Sequence, residues 1–236
     1  KKKDGEIKKG LLVQKASGRD KMHLQLIEIL LGLLQDIKQI QTIYTKSSIN
    51  QLIIGGVFFL CVWINIDLIF GILPDKFSHG KWVVLYIGLS QLFNVASGVN
   101  GAIIVNSKYY KYDLITNLLL VIFTISSNYI LIPIYGINGA ALATAISVFL
   151  FNLIRLVIIK VKMNIQPFTI ETFYTILLLI ITLVLFDFMP LSGNIYFDLV
   201  WRTVLIVSIL IPVIIVLKLS DDITQIMMDI IKRFHR

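Results

Sequence analysis

Charged side chains are scarce in this chain. Lys, Arg, Asp and Glu make up 15% of its 236 residues, against about a quarter in an ordinary soluble domain. A single cysteine, Cys61, excludes an intrachain disulfide, and its place inside an apolar run marks it as a small core residue. The three histidines, His23, His79 and His235, stand far apart and form no metal-ligand spacing. No nucleophile–base pairing, Gly-rich phosphate loop, paired acidic motif or H-E-x-x-H run is present. The acids of the second half (Glu171, Asp187, Asp198, Asp221, Asp222, Asp229) fall at the ends of apolar runs or in the tail. Catalysis, a metal, a cofactor and a nucleic-acid partner are therefore not expected. No Met opens the chain and no signal peptide with a cleavage site is visible, so it reads as a fragment or a processed end, with Met22 as an alternative start.

Apolar residues are what the chain does have. They make up 57% of it, with a mean hydropathy of +0.84. This composition predicts an all-α integral membrane protein. Six stretches of about 20 residues match the roughly 30 Å hydrocarbon core of a bilayer. They run 50–73, 83–106, 112–134, 138–159, 170–188 and 196–217, and the short connections make successive helices antiparallel neighbours. Three regions follow: a basic arm and amphipathic cytoplasmic helix over 1–47, the six-helix transmembrane region over 48–218, and an amphipathic tail over 219–236. The apolar residues Leu26, Leu30, Leu33, Ile37, Ile40 and Tyr44 carry the first amphipathic helix, whose uninterrupted apolar part is too short to span. A basic arm beside an anionic leaflet and a solvated tail are both open for residues 1–21.

Tyr135–Ser147 (YGINGAALATAIS) is the densest run of small residues. Gly136/Ala140, Gly139/Ala143 and Ala140/Thr144 stand four apart and share helix faces. Such a seam, followed by an all-apolar run to Ile159, suits lipid on one side and a closely packed helix on the other. A buried helix of a large soluble protein is the competing reading.

Polar residues inside the spans give the candidate functional positions. The second span carries Ser90, Gln91, Asn94, Ser97, Gly98, Asn100 and Gly101; Ser90, Asn94, Ser97 and Gly101, spaced 4, 3 and 4, with Gln91 and Gly98 overlapping them, keep one face out of lipid. That face either lines a watery pathway offering amides to a sugar or glues two helices together, at about 0.6 kcal/mol per hydrogen bond. Asp67, in the first span, is either buried, as a coupling-ion site, or hydrated near the outer interface. Arg155, near the end of the fourth span, either snorkels or meets a phosphate. Lys108 and Lys111 beside Tyr109, Tyr110 and Tyr112 form an interfacial belt. With residues 1–49 on one side, nineteen of the 22 Lys and Arg residues fall on that side and three on the other. By the positive-inside rule both termini face the cytoplasm.

Five stretches, in this order and spacing, resemble the carboxy-terminal half of bacterial polysaccharide (O-antigen-type) flippases, members of the multidrug/oligosaccharidyl-lipid/polysaccharide exporter superfamily. They are YTKSSINQ (44–51), IFGILPDKFSHG (69–80), IGLSQLFNVASGVN (87–100), SKYY (107–110) and IPIYGINGAALAT (132–144), and the resemblance covers residues 40–190. It implies a two-lobed helical bundle around a central cavity. Alternating access there carries an undecaprenyl-diphosphate-linked oligosaccharide across the inner membrane. This chain would be a second-lobe fragment, with membrane lipid, the lipid-linked oligosaccharide and the missing amino-terminal lobe as its partners. Cation-coupled drug exporters of the same superfamily, a membrane-embedded polymerase or acyltransferase of the pathway, and a non-transporting remnant are the alternatives.

Overall fold

The computed structural model describes residues 18–74, 77 and 80–234. Residues 1–17 of the basic arm, Lys76, His79, His235 and Arg236 lie outside them. The described residues form helices and no strand: α1 (Gly18–Trp63), α2 (Ile66–Ile72), α3 (Lys81–Ala96), α4 (Asn100–Val105), α5 (Lys111–Met163), α6 (Ile170–Asp187), α7 (Ile195–Val216) and α8 (Asp221–Phe234). Two compact units divide the chain, residues 1–42 and 43–236. In the first, the described part is helical, and Thr42 Oγ1 donates to the Lys38 carbonyl at 2.9 Å. The packing and the candidate sites described below lie in the second.

Among the described residues four helices are long and apolar enough to cross a membrane: Asp36–Trp63, Lys111–Met163, Ile170–Asp187 and Ile195–Val216. The sequence predicted six spans, and the difference has identifiable causes. The expected second span is cut at Ser97–Val99 into α3 and α4, each too short to cross alone. The expected first span is cut at Ile64–Asn65, because Asn65 Nδ2 takes the Cys61 carbonyl at 2.8 Å and so competes with the helical ladder. The amphipathic helix expected before it is not separate. No proline or glycine interrupts YTKSSINQ, so α1 runs on through it.

The expected third and fourth spans are the two arms of α5. An unbroken helix of 53 residues would measure about 80 Å at 1.5 Å per residue. Instead the chain reverses at Gly136, whose φ of 58° and ψ of −131° belong to glycine alone. Ser127 and Ser147 hydroxyls then meet at 3.1 Å, and Tyr109 Oη donates to the Lys162 carbonyl at 3.3 Å across 53 positions. Gly139 lies where a Cβ would stand 2.1 Å from the Leu131 carbonyl oxygen, so the arms touch backbone to backbone. Ala143 and Ser147 are buried in this contact, while Ala140 and Thr144 are half-buried beside it. Gly136 itself is exposed with open space around it, so it serves the turn and not the seam.

Two packing groups result. Ile49, Ile53 and Leu60 of α1, Phe186 of α6 and Ile206, Leu210 and Ile214 of α7 form one apolar core. The other places α3 and α4 against α5. Caps and turns mark the boundaries. Asn194 Oδ1 accepts from the Phe197 N–H at the start of α7, and Asn164, at φ 55°, closes α5. At the start of α8, Asp222 accepts from Lys46 Nζ at 2.7 Å and Asn50 Nδ2 at 3.0 Å, which hold its carboxyl below the usual carboxylate range.

Candidate functional site

The polar face of the expected second span divides into two parts. Gln91 is exposed and Asn94 half-exposed, and Gln91 Oε1 accepts from Asn94 Nδ2 at 3.2 Å. Gln91 also borders an apolar groove of about 500 Å³ between α1 and α3, walled by Phe58, Phe59, Val84, Ile87 and Val95. Ser97, Gly98 and Asn100 turn inward. Ser97 Oγ donates to its own helix at the Phe93 carbonyl. Gly98, at φ 62°, lies where a Cβ would sit 3.2 Å from the Ser48 backbone nitrogen, and Ser48 Oγ donates to the Ala96 carbonyl that this break releases. The interruption of the span is therefore what lets α1 approach it.

The two parts are joined through α5 by a residue that spacing alone did not single out. Asn152, 1% exposed, donates through Nδ2 to Asn94 Oδ1 at 3.0 Å and accepts on Oδ1 from Asn100 Nδ2, also at 3.0 Å. Gln91, Asn94, Asn152 and Asn100 thus form one chain of four amides running from the groove into the packed interior. Asn152 also donates to the Val148 carbonyl at 3.0 Å, which fixes its rotamer on the helix. The signal available in the sequence was its place three residues before Arg155, on the same face of α5.

Arg155 neither snorkels freely nor stands open. Its Nη2 pairs with Asp113, its Nε donates to Thr116 Oγ1 at 3.3 Å, and its guanidinium stacks 4.1 Å from the centre of the Phe151 ring. Gly101 makes room for it, since a Cβ there would lie 2.7 Å from Nη1. The pair ties the two arms of α5 together at the end away from Gly136. Asp113 and Thr116, like Asn152, were not among the expected site residues.

Asp67 is separate from this network. It is 79% exposed and accepts from Lys81 Nζ at 2.6 Å, which is the hydrated arrangement. Helix packing at Gly139, Ala140, Ala143 and Thr144, with the turn at Gly136, belongs to the α5 hairpin described above.

Chemically, the network offers fixed amide donors and acceptors and one partly buried ion pair. Among the described residues no group of three or more His, Cys, Asp or Glu side chains is placed to hold a metal ion. Uncharged hydrogen-bonding groups at this depth suit recognition of hydroxyl-rich or amide-bearing material, or the locking of helices. No family model, curated protein or solved structure matches this chain.

Proposed function

We propose that this chain is the carboxy-terminal part of a flippase that moves an undecaprenyl-diphosphate-linked oligosaccharide across the bacterial inner membrane for surface polysaccharide synthesis. On this reading six segments cross the bilayer, counting both arms of α5 and the interrupted α1–α2 and α3–α4 pairs, and both termini lie in the cytoplasm. The chain has no chemistry of its own, and an amino-terminal lobe completes the transport path.

The observation that carries the proposal is the amide chain from Gln91 to Asn100. A row of four carboxamides inside an otherwise apolar bundle is costly to maintain for packing alone. Its outermost member borders an apolar groove, an arrangement suited to a molecule with a sugar at one end and a hydrocarbon at the other. The drug-exporter alternative would lean on Asp67 as a coupling site, and that carboxylate is exposed and already paired.

The test is a photo-crosslinking residue at Gln91, compared with one at the lipid-exposed Ile125, in membranes of a polysaccharide-producing bacterium. The expected result is an adduct carrying isoprenoid-linked sugar at Gln91 and phospholipid adducts only at Ile125. Phospholipid alone at both positions would overturn the proposal.

A further inference from the structure

At the end of the bundle away from Lys46 and α8 lies a small polar cavity of about 130 Å³, bordered by Trp63, Ile66, Asp67, Lys81, Asp187 and Arg202. With Ile64 and Leu183 also lining it, four of its eight side chains are charged. Its level is set by the chain itself: Trp63 ends α1, Lys81 begins α3, Asp187 ends α6, and Arg202 lies two turns into α7. Exposed aromatic residues crowd the same level, with Trp82 at the start of α3, Phe188 just past α6, and Tyr196 and Trp201 on α7. Such a belt marks the depth at which lipid headgroups lie.

The charges in the cavity sort themselves. Lys81 and Asp67 satisfy each other at 2.6 Å, and Lys81 Nζ lies 5.9 Å from the centre of the Trp63 ring. Just outside the lining, Asp198, one turn before Arg202 and near enough to feel its charge, takes the Ser192 N–H on both oxygens, at 3.0 and 3.1 Å, and accepts no hydrogen bond from the guanidinium. That leaves Arg202 and Asp187. Arg202 is 8% exposed; its Nη2 donates to the Phe186 carbonyl at 2.7 Å, and its Nε has no acceptor. Asp187 is exposed, and among the described residues its carboxylate has neither an ion pair nor a hydrogen bond. A buried guanidinium N–H without an acceptor requires one, and a free carboxylate bordering the same small cavity calls for a cation with N–H groups.

We propose that this cavity holds the headgroup of an aminophospholipid of the phosphatidylethanolamine type, with a phosphate oxygen accepting from Arg202 and the ammonium donating to Asp187. The cavity, about 130 Å³, is of a size for one small headgroup. A purely anionic headgroup would meet Asp187 unfavourably. A trimethylammonium headgroup has no N–H to give it. The inference is independent of what the chain transports.

Native mass spectrometry of the full chain, released from detergent micelles doped with equal phosphatidylethanolamine, phosphatidylcholine and phosphatidylglycerol, tests it. Phosphatidylethanolamine should be retained about tenfold over the other two, the difference one charge-assisted hydrogen bond makes. Asp187→Asn, at an exposed position, should bring phosphatidylethanolamine down to the phosphatidylcholine level and leave phosphatidylcholine unchanged. Arg202→Gln should weaken retention of all three. Equal retention of phosphatidylethanolamine and phosphatidylcholine, a preference for phosphatidylglycerol, or an unchanged profile in Asp187→Asn would each overturn the assignment. Soluble glycerophosphoethanolamine distinguishes the source: failure to displace the lipid supports a membrane ligand, and full displacement at equal concentration overturns it.

Discussion

Asn152 uses both ends of its side-chain amide on other amides, so its removal strands two partners at once. Replacing it with Leu leaves Asn94 Oδ1 and Asn100 Nδ2 without their bonds, and an unsatisfied buried group costs about 1–3 kcal/mol. The expected outcome is a lower thermal midpoint in detergent. A double-mutant cycle with Asn100→Ala should give a coupling of about 0.6–1.7 kcal/mol, the range measured between transmembrane helices. Asp113 and Arg155 follow a different rule, because their groups are charged. Asp113→Asn leaves a largely buried guanidinium without its counter-ion, a loss of about 3–5 kcal/mol for such pairs. The double variant Asp113→Asn/Arg155→Gln should be less destabilised than Asp113→Asn alone, as read by chemical denaturation in mixed micelles. If the double variant is the worse of the two, the pair is not what holds the arms of α5 together. The spacing of Gln91, Asn94 and Ser97 made one polar face legible in the sequence. It could not show that Ser97 bonds its own helix while Asn94 reaches α5, since that choice depends on where the helix breaks.

At the scale of elements, glycine decides how α5 folds. The small-residue run from Tyr135 to Ser147 was legible as a seam, and the gap between the runs 112–134 and 138–159 as a connection, but Gly136 itself read as part of the seam and not as the turn. The break at Gly98 was not legible, because a stretch with asparagines at 94 and 100 and glycines at 98 and 101 reads equally well as a continuous polar helix face. Gly136→Ala should destabilise the hairpin by about 1–3 kcal/mol, the cost of forcing an L residue into a glycine-only conformation. Gly139→Ala should do more damage, because its Cβ would enter the Leu131 carbonyl. Cysteine pairs at Ser127 and Ser147 give the readout: crosslinking is expected in the parent and should fall in both variants, further in Gly139→Ala. The start of α8 supplies a pH prediction. Contacts from Lys46 and Asn50 make the Asp222 carboxyl harder to protonate when folded than when unfolded. They therefore stabilise the docked helix fully above the ordinary carboxylate pKa of about 3.9, and the effect fades as pH falls through the lower folded value. Hydrogen exchange of the first turns of α8 should be flat from pH 5 to 8 after correction for intrinsic rates. It should show lost protection well below pH 4, and Asp222→Asn should show that loss at neutral pH.

At the scale of the whole molecule, the membrane character follows from composition, but the number of crossings does not follow from helix length. Counting long apolar helices merges the α5 arms and passes over α2, α3 and α4, because hydropathy registers neither a reversal at one glycine nor an apolar run broken into two short helices. Charge distribution bears on the same question independently. If both arms of α5 and the interrupted pairs α1–α2 and α3–α4 each cross once, the count is even and the loops holding nineteen of the 22 basic residues share one side. An odd number would instead place Lys218 and α8 opposite Lys46. In the folded chain Lys46 and Asp222 form an ion pair, so the start of α1's second-unit portion and the start of α8 lie on the same side of the bundle. On the proposed reading this contact agrees with the even count that loop charge favours, and the positive-inside rule would then place both ends in the cytoplasm. A reporter active only in the cytoplasm, fused after Arg236, should be active. One fused in the loop after Leu191 should be silent, and a reporter active only outside the inner membrane should give the reverse pattern. Activity of the cytoplasmic reporter at both positions would mean that α7 does not cross, and the six-crossing arrangement would have to be abandoned.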